Sequence, residues 1–290
     1  MSNGDNFEKN RVIGGMLYIV ATPIGNLADI GERALKVLDG VDFIAAEDTR
    51  NSVRLLTHFG ISKPLVSYHE HNKHEKGGQI VERLRAGESC ALITDAGTPA
   101  ISDPGEDLVA LCAQSGIPIT SIPGACALIV ALTLSGLPTA RFVFEGFLPV
   151  PKKERRERLE MILKETRTVI LHEAPHKLRT TLADLKDVLG GERKIALCRE
   201  LTKLNEEICR TTLDGAIDIY SQKDPRGEYV LVIEGGKGEK NNDSGPEKLS
   251  PEEALEHFME QGMSRNEAIR AAAKMLGMSR NELYNILISK

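Results

Sequence analysis

Short apolar runs recur along the chain at Leu17 to Ala21, Phe43 to Ala46, Leu65 to Tyr68, Ala91 to Thr94 and Ile117 to Ile122. Their length and β-branched content predict strands. Helix-compatible segments lie between them, at Glu32 to Leu38, His74 to Arg85, Glu106 to Gln114 and Ala125 to Leu134. Strands alternating with helices predict a mostly parallel sheet with crossover helices. After Arg141 a second series begins with a strand at Phe142 to Phe147 and a charged helix near Lys152 to Glu165. Strands follow at Thr168 to His172, Lys194 to Arg199, Glu207 to Thr212 and Tyr229 to Ile233, two of them separated by only a short connection. That spacing predicts a second α/β domain with antiparallel pairing.

The periodicity stops at GGKGEKNNDSGPEK, which reads as a flexible linker. Beyond it GMSRNE occurs twice, each copy ending one helix and starting the next, and Ser250-Pro-Glu-Glu253 has the form of a capped helix start. Ile269, Ala272, Ala273 and Leu276 share one helical face, as do Leu283, Ile286 and Leu287. Three short helices of this kind resemble a helix-turn-helix; a packing or dimerisation module fits the residues equally well. The expected layout is a disordered tail over 1–15, an N-terminal α/β domain over 16–139, a C-terminal α/β domain over 140–235, a linker over 236–249 and a helical module over 250–290.

Composition narrows the class of function. The N-terminus MSNGDNFEKNRV has no apolar core of a signal peptide, and the longest apolar run, Ala125 to Leu132, is far short of the roughly 20 residues that span a bilayer. A cytoplasmic protein without membrane insertion is expected. Five scattered cysteines without CxxC spacing predict reduced thiols and neither a disulfide frame nor a zinc site. A net charge of -5 means that any nucleic acid must be held by a local basic patch.

Candidate chemistry sits at strand ends. LITDAGTPAISDPG follows a buried strand, and its glycines and prolines give a small, stiff loop where open α/β sheets bind ligands. A plain strand-to-helix connection with Asp103 as the cap is the alternative. The loop has neither a GxGxxG fingerprint nor a P-loop ending, so phosphate cradling is not favoured. VATPIGNLADI and SIPGACALIV end two further strands in the same style, so three loops could line one crevice. Glu47-Asp48-Thr49-Arg50 offers carboxylates beside a guanidinium, either as a substrate-side cluster or as a helix cap. His69-Glu70-His71-Asn72 puts two His on one strand face without a third ligand at metal spacing, so no metal is expected. Lys152, Lys153, Arg155, Arg156 and Arg158 form a basic run that is either a solvated helix face or a phosphate track for RNA.

LYIVATPIGNLADI, AAEDTRNSVRLLTHFGI, SYHEHN, LITDAGTPAISDPG, IPGACALIVALTLSGLP, FEGFLP, LHEAPHKL, LCRELTKLNEE and GEYVLVIEG together resemble the ribosomal-RNA branch of the tetrapyrrole methylase superfamily, the small-subunit methyltransferase I type. The resemblance runs from about Leu17 to Gly235 and extends to the helical tail. It implies two α/β domains in a homodimer, with S-adenosylmethionine in the cleft between them. It also implies methylation of a cytidine ribose 2′-oxygen in the decoding region of small-subunit rRNA. Corrin and porphyrin methylases carry G-x-G-x-G-D and G-D-P loops where this chain has Thr22-Pro-Ile-Gly25 and Gly97-Thr98-Pro99, which disfavours a tetrapyrrole substrate. The similarity sets the donor against Pro23, Ile24 and Gly25, against Asp95, Gly97, Thr98, Pro99, Ile101 and Ser102, and against Pro123, Ala125 and Cys126. In the second domain it points to His172-Glu173, Arg199-Glu200 and Glu228-Tyr229. Glu47, Asp48 and Arg50 are the substrate-side candidates, with the base unassigned. The rivals are a methyltransferase of a tetrapyrrole or protein side chain, disfavoured by the basic helix and tail, and a cofactor-sensing nucleic-acid regulator, for which the helical tail speaks.

Overall fold

In the computed structural model, residues 11–236, 250–260 and 262–288 are described, and the chain divides into two compact units that meet at Gly235 and Gly236. Most of the expected linker, 237–249, lies outside the described residues, as do residues 1–10 of the expected tail.

The first unit holds two five-stranded sheets. The first is built from β1 (Leu17–Val20), α1 (Glu32–Gly40), β2 (Phe43–Ala46), α2 (Thr49–His58), β3 (Leu65–Ser67), α3 (Lys73–Arg85), β4 (Cys90–Ile93), α4 (Gly105–Gln114), β5 (Ile119–Ile122) and α5 (Ala127–Ser135). Its strands run in the order β3-β2-β4-β1-β5, all pairs parallel. β1, β2 and β4 are buried along their whole length, which is why they read as unbroken apolar runs. This order sets the ends of β4, β1 and β5 side by side, so the three small-residue loops meet at one edge.

The second sheet comprises β6 (Phe142–Gly146), α6 (Lys152–Lys164), β7 (Thr168–Glu173), α7 (Leu178–Leu189), β8 (Lys194–Arg199), β9 (Glu207–Thr212), α8 (Leu213–Gln222) and β10 (Tyr229–Ile233). Its order is β6-β7-β10-β8-β9, with only β6 and β7 parallel. One face packs on α6, α7 and α8 through Leu171, Leu182, Leu197 and Leu231. The other face, with Ile170, Ala196, Cys198, Val230 and Val232, packs on Leu128, Ala131 and Leu132 of α5. The last helix of the first half is thus a covering layer of the second sheet. A helix apolar on every side, ALIVALTLS, must be buried all round, and here it is.

Two local expectations change. Residues 11–15, expected as part of a tail, are held: the Ile13 N–H donates to Tyr18 Oη at 2.7 Å and the Gly15 N–H to Glu88 O at 2.9 Å. Helices α2, α7 and α8 lie in segments that the apolar pattern leaves unassigned.

In the second unit, α9 (Pro251–Glu260), α10 (Arg265–Met275) and α11 (Arg280–Ile288) bury Ala254, Ala268, Ile269, Ala272, Ala273 and Leu283 together. The repeated Ser-x-x-Glu spacing works as helix starts. The N–H groups of Ser250, Ser264 and Ser279 donate to Glu253, Glu267 and Glu282 at 2.8, 3.1 and 2.8 Å.

Candidate active site

The three loops are laced by backbone. Thr22 and Gly97 exchange hydrogen bonds, N–H to carbonyl, at 2.9 and 3.1 Å, and the Thr22 hydroxyl donates to Thr94 O at 3.1 Å. Thr98 Oγ1 donates to Ala125 O at 3.0 Å, tying the second loop to the third. Gly97 sits at φ +88°, where a side chain is strained, and Ala100 and Ser102 hold positive φ as well. Asp103 braces that turn: its Oδ1 accepts from the N–H groups of Ala100 (2.9 Å) and Gly105 (2.7 Å). The glycine and proline content expected to make a stiff loop does so, and Asp103 serves the turn as well as the start of α4.

Opposite these loops lies the inner face of the second sheet. A cavity of about 210 Å³ is lined by Ile24 and Ala127 on one side and by Phe147, His172, Cys198 and Val230 on the other. His172 packs edge-on against Phe144 and Phe147, with ring centroids 5.0 and 5.5 Å away. Its Nε2 is buried without a partner, as is Thr202 Oγ1. Burial drives the His172 pKa below its ordinary value against a weaker pull from Glu228, which favours the neutral ring. At the rim Lys203 bridges Glu200 at 2.9 Å and Glu228 at 2.8 Å. Burial works against the charge on Lys203, but the hydrogen bonds to Glu228 and Glu200 outweigh it and raise its pKa. Lys203 and Phe147 were not among the expected site residues; Lys203 lies in a turn, and Phe147, expected as the last residue of a strand, falls just past the end of β6.

Strand alternation divides His172 from Glu173 on β7. His172, Glu228 and Tyr229 line the cavity and Glu200 reaches its rim through Lys203, whereas Glu173 and Arg199 turn to the opposite face. Glu173 is buried and accepts from the Ala174 N–H at 2.8 Å and from the Thr181 hydroxyl. Arg199 pairs with Glu207 at 3.0 Å, and the Tyr229 ring packs edge-on against Tyr220.

On the far side of the first loop a second cavity, about 370 Å³, is lined by Pro23, Gly25, Asn51, Arg54, His58 and Asp95 among others. Asp95 Oδ2 accepts from Asn51 Nδ2 at 2.9 Å and Oδ1 from the Asp48 N–H at 3.3 Å. Glu47 accepts from Thr94 Oγ1 at 2.8 Å. Asp48 caps α2, accepting from the Arg50 N–H at 2.8 Å, and its side chain forks onto the Arg50 guanidinium at 3.1 and 2.7 Å. That hydrogen bonding holds the Asp48 carboxyl down at about 2. The capping reading of Asp48 is therefore realised beside the cavity, and Asp95 and Asn51 are the polar groups that line it.

The basic helix is only partly free. Arg155 reaches Asp184 at 2.6 Å and Thr181 at 2.8 Å, and Arg158 pairs with Glu145. These two are paired within the fold. Lys152, Lys153 and Arg156 stay exposed, Arg156 beside Glu160 at 3.0 Å. The rings of His69 and His71 lie 5.9 Å apart, and the His69 N–H donates to Asn72 Oδ1.

Residues 16–217 match the tetrapyrrole (corrin/porphyrin) methylase family. Over 272 residues the chain is 47% identical to ribosomal RNA small subunit methyltransferase I of Synechocystis sp., covering 94% of this chain and 97% of that protein. The chain belongs to the ribosomal RNA small subunit methyltransferase I family. A relative of the same name from Escherichia coli O157:H7 is 42% identical over 280 residues, 95% of this chain and 96% of that one. Among solved structures, diphthine synthase superposes with a TM-score of 0.58 at 14% identity over 76% of this chain and 89% of its own. Uroporphyrin-III C-methyl transferase from Thermus thermophilus, complexed with S-adenyl homocysteine, gives 0.54 at 15% identity, covering 76% and 97%. These distant structures share the fold with the small subunit methyltransferase I family. The helical tail lies beyond residue 217, where the match to the wider methylase family ends, while the coverage of the rRNA methyltransferase relatives exceeds nine-tenths of the chain.

Proposed function

We propose that the protein transfers a methyl group from S-adenosylmethionine to the 2′-oxygen of a cytidine ribose in the small-subunit rRNA. The observation that carries this reading is identity above 40% over nearly the whole chain, tail included, with proteins named ribosomal RNA small subunit methyltransferase I.

The residues of the cleft fit such a donor. The 210 Å³ cavity has apolar walls at Ile24, Ala127 and Val230 and a few convergent polar atoms, the composition of a small-molecule site. The unpartnered His172 Nε2 belongs to a residue that lines this cavity and is a buried atom that a ligand would satisfy. Gly97, with Thr98 locked onto Ala125, offers backbone approach without side-chain bulk. Ile24, Gly97, Thr98, Ala125, His172 and Glu228 would hold the donor, and Lys203 would close the rim.

When bound, S-adenosylmethionine supplies a sulfonium-activated methyl, so the protein's task is alignment and removal of one proton. Preshaped loops supply the alignment, holding reacting atoms at about 3 to 3.5 Å. For the proton, Glu47 and Asp95 stand beside the first loop, each held by a hydrogen bond from Thr94 or Asn51 that fixes its direction. Lys152, Lys153 and Arg156 on α6 supply exposed cations toward RNA. The protein works in the cytoplasm as a homodimer on this reading, which sedimentation equilibrium tests directly. Label from methyl-tritiated donor should appear on small-subunit rRNA and resist alkaline cleavage at one cytidine. Label on a corrinoid or on protein overturns the reading.

A further inference from the structure

Arg50, Arg54 and His58 recur at every fourth position of α2 and share one helical face, while Ser52 and Leu56 on the opposite face are buried. Arg50 is clamped by Asp48. Arg54 has neither an ion-pair nor a hydrogen-bond partner among the described residues. Asp95 lines the same cavity as a carboxylate, but it is directed at Asn51 and the Asp48 N–H and makes no ion pair with Arg54. Arg54 and His58 both line the 370 Å³ cavity, and Pro23 and Gly25 form its wall. Ile24, the residue between them, lines the cavity assigned to the donor. One loop therefore separates the two cavities, which sets an unpaired guanidinium one loop away from the cavity assigned to the donor.

We propose that Arg54, with His58 one turn further on, grips a phosphate of the RNA strand flanking the nucleotide to be methylated, and that Arg50 extends this track along α2. The inference rests on the rRNA reading above. A guanidinium with a free fork matches phosphate geometry bidentately. With few aromatics to serve as stacking platforms, backbone contacts have to carry much of the RNA affinity.

The test uses the full chain and a transcript of small-subunit rRNA, with binding measured across a range of salt concentrations. Arg54→Ala should weaken binding roughly tenfold near physiological salt and lower the slope of log K against log salt by about one. Arg54→Lys should keep the slope, since it keeps the charge. S-adenosylhomocysteine affinity by calorimetry should be the same in all three proteins. An unchanged slope in Arg54→Ala, or an equal loss in both variants, overturns the α2 track even while wild-type protein methylates rRNA. A wild-type protein that neither binds nor methylates rRNA, or that binds an acidic peptide instead, overturns the underlying reading and the track with it.

Discussion

Gly25→Ala probes the contact that joins the two halves of the cleft. A Cβ at Gly25 would fall 2.4 Å from Lys203 Cγ, 2.8 Å from Thr202 Oγ1 and 2.9 Å from Leu201 O. Lys203 can swing aside, but only by giving up its ion pairs with Glu200 and Glu228. The Leu201 carbonyl belongs to a braced turn: the Thr202 N–H donates to Glu206 at 2.7 Å and the Lys203 N–H to Glu200 O at 3.0 Å. Restoring an ordinary contact of about 3.5 Å requires the two loops to part by roughly half an ångström. Overpacking of this kind costs about 1–3 kcal/mol. The displaced turn carries the rim of the donor cavity, so S-adenosylhomocysteine affinity should drop by about tenfold for each 1.4 kcal/mol that falls on the bound state. Urea unfolding and calorimetry read the two effects. Gly78→Ala is the control of opposite sign, because Gly78 lies within α3 with nothing within 4 Å of a Cβ, and it should stabilise by about 0.5–1 kcal/mol. A Gly25→Ala protein with unaltered midpoint and unaltered affinity would refute the close approach of the two loops.

Leu132→Ala should cost about 2–4 kcal/mol in urea, because Leu132 is buried where α5 covers the second sheet; a loss below 1 kcal/mol would show that α5 does not seal that face. Arg155→Ala should lose about 1–3 kcal/mol through Asp184 and Thr181, while Lys153→Ala stays within about 0.5 kcal/mol, measured by the same unfolding curves. Ser279→Ala removes the hydroxyl that accepts from the Glu282 N–H at 3.2 Å, and amide exchange in α11 should quicken by the equivalent of about 1 kcal/mol. Burial holds the His172 pKa below the unfolded value of 6.5, so proton uptake favours the unfolded chain; the stability of the neutral ring is intact above about pH 6.5 and drains away as pH falls below it. His172→Gln should therefore flatten the loss of stability between pH 7 and pH 5, and an identical pH profile would remove the buried imidazole as its cause.

The first sheet was legible because its central strands β1, β2 and β4 are buried on both faces and its crossovers are short, so apolar runs and helix starts alternate cleanly. The three loops were legible for a related reason: glycine and proline advertise strand ends, and parallel order brings those ends together. Helix α2 was obscured because it is short and carries Arg50, Asn51, Arg54 and His58 among its apolar positions. Of the pairs His172-Glu173, Arg199-Glu200 and Glu228-Tyr229, the last lines the donor cavity with both members, while Glu173 and Arg199 turn away from it. On β7 a period of two sends His172 and Glu173 to opposite faces. Arg155 and Arg158 illustrate the converse limit, since charge runs in sequence do not reveal which members face Asp184 or Glu145 across a helix pair.

The position of the first loop between two cavities orders these effects. Ile24 lines the donor cavity and Pro23 and Gly25 line the cavity beside α2, with Gly25 also abutting Leu201 and Lys203, so a change in the loop shifts a wall common to both. Substitutions there should alter donor affinity and RNA affinity together, whereas Arg54 on α2 should move RNA affinity alone and His172 on the inner sheet donor affinity alone. In-line transfer demands that the two reactants meet across a fixed distance, and a single stiff loop, pinned by Thr22 to Gly97 and abutting Leu201, fixes that distance from one side for both. This accounts for the investment of proline, glycine and backbone hydrogen bonds in a segment that supplies no charged side chain of its own.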